Sequence, residues 1–282
     1  MKKKIIGFSG VLIVCMVFFA GLGQAYQEME VKNGGTVRGK TILTGNIPAP
    51  RIFHQVLFPN MELCSKVDSD GNMNRVIYDF QASTDGGLRD VVISLAHADK
   101  GKPFVKKPIT ILSKDCKFTP EVNVFRQDEE FKVNNIDPVM HNSQVYQSER
   151  GKIITNIPIP AEEVSSGRVH FQKNYKISQM ICGMHEFMQT WGYRVQNPYY
   201  FITREDGTFQ INDIPPGDYV VNAWHNFMKI RSQRIHVEPN SEINLNFEFN
   251  GDEVVRPIYE TIASGRIKEE AFKTRENVLK SK

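Results

Sequence analysis

The stretch that most restricts this chain is Lys176-Ile-Ser-Gln-Met-Ile-Cys182-Gly-Met-His185-Glu-Phe-Met188-Gln-Thr-Trp-Gly-Tyr-Arg-Val195. Polar and apolar residues alternate over 176–181 and again over 190–195, the period of a half-buried strand. The short loop between these two strands carries a cysteine, a histidine and a methionine at spacing 0, 3 and 6. Rigid flanking strands are what a preorganised group of side chains needs.

A second histidine, His141, stands upstream. It follows the strand-like Glu130-Phe-Lys-Val133 and the turn-rich Asn134-Asn-Ile-Asp-Pro138, which places it at a strand-to-loop junction. Two imidazoles, one thiolate and one thioether form the donor set of a mononuclear blue-copper electron-transfer site. A thiolate shares electrons strongly with copper, two imidazoles complete a trigonal plane, and a distant thioether tunes the potential without closing the site.

Asp137-Pro-Val-Met-His141-Asn142, followed by Cys182-x-x-His185-x-x-Met188, resembles the cupredoxins, and the short ligand loop is most similar to that of amicyanin. The resemblance spans residues 108–195. It implies a Greek-key β-sandwich and one type 1 copper ion held by His141, Cys182, His185 and Met188. It also implies that Asn142 braces the ligand loop through hydrogen bonds, as partners behind metal ligands generally do. Met140 and Met184 flank two of these residues, so Met188 is preferred to Met184 as the axial sulfur on spacing alone. His185 is expected to be the more exposed imidazole and the port for electrons.

Export is expected. Lys2, Lys3 and Lys4 precede an apolar run from Ile5 to Leu22, and Gly23-Gln-Ala25 offers the small residues a signal peptidase reads, so residues 1–25 read as a signal peptide. The run is also long enough for an uncleaved anchor, the one route to a membrane. The expected location is therefore periplasmic or otherwise extracytoplasmic. The formal charge of +3, from 35 basic and 32 acidic residues, resides in those three lysines. A neutral mature chain gives no reason to propose nucleic acid as a partner.

Without Cys15, three cysteines remain: Cys64, Cys116 and Cys182. An odd number in an oxidising compartment is met most simply by a Cys64–Cys116 disulfide and a metal-bound Cys182, the alternative being two buried thiols. Strand-like runs at 35–39, 90–95, 108–112, 121–125 and 168–171, separated by Gly, Asn, Asp and Pro, predict an all-β chain. After Val195, the Asp206-Gly-Thr-Phe209 hairpin signal and Ile214-Pro-Pro-Gly-Asp-Tyr219 resemble the carboxypeptidase regulatory-like domains, small Ig- or prealbumin-like sandwiches. Gly34-Gly-Thr-Val-Arg-Gly39 looks like the opening strand of such a domain, which would make it discontinuous. The expected organisation is therefore a signal peptide (1–25), an N-terminal β region (26–107), a copper-ligand module (108–195), a regulatory-like β domain (196–250) and a charged tail (251–282) with a short surface helix.

Other chemistries lack their motifs. The chain has no H-x-H pair for further copper ions, no second cysteine in the ligand loop for a dinuclear centre, and no H-E-x-x-H zinc signature. His54, His97, His170 and His236 stand alone, and His225, beside Trp224, reads as a core or interface residue ahead of a second metal ligand. The function expected is single-electron transfer, without enzymatic chemistry of its own, to or from a redox partner protein such as a cytochrome, dehydrogenase or oxidase. Two alternatives stay open. One is a copper carrier or sensor, suggested by Met140, Met180, Met184 and Met188, and the other a metal-free structural subunit.

Overall fold

The computed structural model describes residues 26–105, 107–148 and 151–255, so the expected leader and the expected tail helix lie outside the described residues. Strands dominate, and Met61–Cys64 is a single turn of α-helix.

The half that carries His141, Cys182 and His185 is a two-sheet β-sandwich. Its ligand sheet runs in the order Ile153–Ile159, His141–Gln147, Ile177–Cys182, Gln189–Arg194, Val122–Phe125. The first three pairings are antiparallel and the last is parallel. The opposing sheet runs Val164–Val169, Glu129–Asn135, Ile109–Lys114, Lys117–Thr119. Alternate residues of both sheets, among them Ile111, Phe131, Val133, Val145 and Met180, fill the space between. Ser143 is paired with Cys182, which brings the start of one strand beside the end of its neighbour.

The second sandwich takes strands from both sides of that module in the sequence. One sheet orders Tyr200–Ile202, Val92–Ala96, Gly217–Trp224 and Arg231–Val237. The other is organised on Gly35–Thr44, which pairs antiparallel with Thr208–Ile214 and parallel with Glu242–Asn244 and Phe247–Asn250. Gly207, at φ +76° beside Asp206, a conformation glycine adopts without steric cost, makes the tight turn between Tyr200–Ile202 and Thr208–Ile214, which enter different sheets and do not pair as the hairpin expected there.

The two halves share a core. Thr190, Trp191, Gly192 and Tyr193 are all buried, so this strand has no solvent face. Trp191 and Tyr193 point away from the ligand-side core and pack on Phe227 and Trp224 of the second sandwich. The alternation over 190–195 therefore marks two buried faces, Thr190 and Gly192 on one and Trp191 and Tyr193 on the other, and not the half-buried strand expected from it. A hairpin of Arg51–His54 and Asn74–Ile77 lies alongside. Its Arg51 bonds both carboxylate oxygens of Asp79, donates to Gln189 Oε1 at 3.0 Å, and stacks on Phe227.

Candidate metal centre

His141 opens its strand, Cys182 closes the neighbouring one, and His185 sits in the tight turn that follows. Backbone bonds fix that turn: His185 N–H to Cys182 O, Met188 N–H to His185 O, and Cys182 N–H to Met188 O. Local hydrogen bonding thus returns the chain to the sheet one residue after Met188.

Three donor atoms converge there. His141 Nδ1 and His185 Nδ1 lie 3.2 Å apart, and Cys182 Sγ is 3.8 Å from the first and 3.5 Å from the second. All three residues are buried, Cys182 at 1% exposure and both histidines at 0%. Met188 is buried in the same core, and Met184 packs at its edge, half-buried.

Each imidazole is fixed from behind. His141 Nε2 donates to Asp137 Oδ2 at 2.8 Å, and His185 Nε2 donates to the Pro59 carbonyl at 3.1 Å. A carbonyl and a carboxylate can only accept, so each ring carries a proton on Nε2, and both Nδ1 atoms face the Cys182 sulfur. Asp137 is held in turn by the backbone N–H groups of Asp115 and Cys116 and by the Ser113 hydroxyl. Asn142 contributes through its backbone: its N–H points at Cys182 Sγ at 3.4 Å, and its carbonyl accepts from Gly183 N–H at 2.8 Å.

The electrostatics follow from burial and these bonds. Burial alone would raise the Cys182 thiol, but hydrogen bonds from His141, His185 and the Asn142 and Met184 backbone outweigh it and lower the pKa to about 6. Burial alone would lower His141, yet Asp137 and the Cys182 sulfur raise it to about 9. Asp137 is itself held below the usual carboxylate range, because its hydrogen bonds to His141, Cys116 and Asp115 outweigh its burial. Two imidazole nitrogens and a thiolate, dry and pre-aimed, fit a soft-to-borderline ion in a trigonal arrangement.

One expectation is corrected. His185 is not the exposed imidazole, because residues 55–66 lie over it, with Phe58 edge to face on Phe187 at 5.1 Å and Pro59 capping Nε2. Pro59 and Asn60, rather than the ring, face solvent. This segment is anchored by a disulfide between Cys64 and Cys116 and leaves Cys182 as the free cysteine among the described residues. Arg75, 2% exposed, donates to the carbonyls of Cys64, Asp115 and Cys116 and stacks on Phe187.

Asp137, Pro59 and Arg75 were not singled out from the sequence. Asp137 carried a signal, an acid four residues before a candidate ligand, whereas Pro59 acts through its backbone and offered none. The remaining histidines lie apart from the cluster. His54 bonds Asn74, His170 and His236 pair with Asp128 and Asp218 on the surface, and His225 is 1% exposed, stacked on Phe80 at 4.7 Å.

No family model matches the chain, and no curated protein does. Solved structures that resemble part of it are cupredoxins. The Cu-containing nitrite reductase (NirK) from Thermus scotoductus SA-01 is 16% identical over 34% of this chain, with a TM-score of 0.27, and the match spans 24% of the reductase. A purple cupredoxin from Nitrosopumilus maritimus is 16% identical, over 31% of this chain and 99% of its own, with a TM-score of 0.26. Amicyanin from Paracoccus versutus is 9% identical, over 32% and 84%, with a TM-score of 0.26.

Proposed function

We propose that the protein is a blue-copper electron carrier working outside the cytoplasmic membrane, with one copper ion held by His141, Cys182, His185 and Met188. The observation that carries this reading is the convergence of two Nδ1 atoms and one thiolate within 3.8 Å, all buried, with both outer nitrogens already engaged. Copper bound there would supply one-electron redox chemistry.

The chain's own residues supply the rest. Cys182, His141 and His185 bind, Asp137 and Pro59 orient the two rings, and the overlying segment excludes water. Met188, buried beside them, is the axial sulfur in this reading. Electrons enter and leave through the Pro59 peptide, the solvent-facing group bonded to His185, and the partner is a redox protein that docks there. Burial and the covering segment favour a resident ion over a carrier's exchangeable one.

The test is the visible and electron paramagnetic resonance spectrum of residues 26–282 loaded with Cu(II), beside a Cys182→Ser control. An intense thiolate-to-copper band with narrow hyperfine splitting, absent from the control, supports the assignment. A colourless wild-type protein ends it.

A further inference from the structure

We propose that the Cys64–Cys116 disulfide is a positioning crosslink for the metal centre, joining in one covalent unit the two groups that hold the outer nitrogens of both histidines. The proposal concerns the ligand residues of the copper reading above and in that sense rests on it.

The geometry is specific. His185 Nε2 donates to the carbonyl of Pro59, and Pro59 stands five residues before Cys64 in a segment bonded to itself through Leu63 N–H and Cys64 N–H on Asn60 O. His141 Nε2 donates to Asp137, whose carboxylate accepts from the N–H groups of Asp115 and Cys116 at 2.5 and 3.1 Å. One half-cystine therefore belongs to the clamp on His185 and the other to the clamp on His141. The bond between them closes the circuit across 52 residues of sequence.

Arg75 reinforces it from beneath. Its guanidinium donates to Cys64 O at 2.8 Å, Asp115 O at 3.2 Å and Cys116 O at 3.4 Å, so one buried cation holds both clamps. The same guanidinium lies 5.4 Å from the Phe187 ring, two residues along the loop from His185. The clamp elements come from residues 58–75 and 115–137, outside the ligand loop. A loop of seven residues cannot fix both imidazoles by itself, because the partners of their outer nitrogens lie elsewhere in the chain.

A crosslink placed only for global stability would sit anywhere in the sandwich and leave the ligands' freedom unchanged. Here its loss frees the Pro59 carbonyl from His185 and loosens the Asp115–Cys116 turn on Asp137. Removing partners behind metal ligands costs about 10- to 100-fold in metal affinity.

The experiment compares wild type, Cys64→Ser/Cys116→Ser, and Val221→Ala, the last a cavity variant in the second sandwich core chosen to lower stability without touching the centre. Two readouts are taken: copper loss to a chelator, and solvent exchange of the imidazole Nε2–H protons of His141 and His185 in the metal-free protein. The expected result is copper loss about tenfold faster in the serine pair, with both ring protons exchanging faster, and neither effect in Val221→Ala. Equal behaviour in the serine pair and wild type, or equal acceleration in Val221→Ala, overturns the proposal. Should the serine pair not fold, native protein held in a small phosphine takes its place in the exchange measurement, the disulfide being reduced without an alkylating step that would also modify Cys182. Because ring-proton exchange needs no metal, a wild-type protein that fails to bind copper defeats the copper reading while this proposal is still decided by the exchange rates.

Discussion

Trp191 and Phe227 meet edge to face, 5.6 Å between ring centres, across the boundary between the ligand sheet and the second sandwich. Trp191 stands three residues beyond Met188, so the strand leaving the Cys182–Met188 loop is held from outside by the second sandwich. The chain's other tryptophan, Trp224, lies in the same shared core against Tyr193. Phe227→Ala is expected to cost about 3–5 kcal/mol, the range for deleting a buried aromatic. Because both tryptophans report on this boundary, fluorescence and far-ultraviolet circular dichroism should trace one coincident denaturant transition in wild type. Two separated transitions would show that the sandwiches are energetically independent.

His225 gives a pH signature. Burial lowers its pKa from the usual 6.5 to about 4, with Asp79 opposing only in part. The unfolded chain then binds a proton near pH 6.5 that the folded chain refuses until near pH 4, so the stability from keeping His225 neutral is complete above about 6.5 and drains as pH falls towards 4. The full excursion is about 3 kcal/mol. Asp90 and Glu121, raised by burial, act in the opposite direction, so the diagnostic is a difference between proteins. Denaturant titrations between pH 7.5 and 4.5 should give a shallower acid loss in His225→Gln than in wild type. Parallel curves would remove His225 from the account.

The ligand loop was legible because its residues are contiguous and its strands alternate, a pattern set by two short-range facts, donor chemistry and period. The strand holding His141 was harder to see. His141, Ser143 and Gln147 are buried alongside Val145, so its inward face carries polar residues and the hydrophobic period disappears. The cover over His185 was not legible at all. Residues 55–66 fold as single turns held by a disulfide and by Arg75, and its contact with the centre is a proline carbonyl, a group every residue possesses. The pairing of Gly35–Thr44 with the C-terminal block was expected only through the likeness of its opening stretch to a regulatory-like domain, since pairing over that distance leaves little local trace.

Met188 and Met184 can be separated by substitution. Met188 is 1% exposed and packs in the ligand-side core, whereas Met184 is half-buried at its edge. Leucine conserves volume at either position, which limits the stability change to less than about 1.5 kcal/mol. With Met188 as the axial sulfur, Met188→Leu shifts the copper reduction potential and the hyperfine splitting, and Met184→Leu leaves both near wild type. A shift confined to Met184→Leu would exchange their roles.

Copper affinity should follow the protonation of the centre. Without metal, His141 holds its proton up to about pH 9, because Asp137 and the Cys182 sulfur outweigh its burial, while Cys182 is a thiolate above about 6. A nitrogen must shed its proton to become a ligand, so between these values apparent affinity should rise by about tenfold per pH unit, steepen below 6 and level off above 9. Asp137→Asn removes the carboxylate that holds the proton yet retains an amide oxygen to accept from Nε2–H. The plateau should then begin at lower pH, while at high pH affinity falls about 10-fold or more because the ring is held less firmly. Chelator competition from pH 5.5 to 9.5 measures both effects. An unchanged onset of the plateau in Asp137→Asn would mean that Asp137 positions the ring without governing its proton.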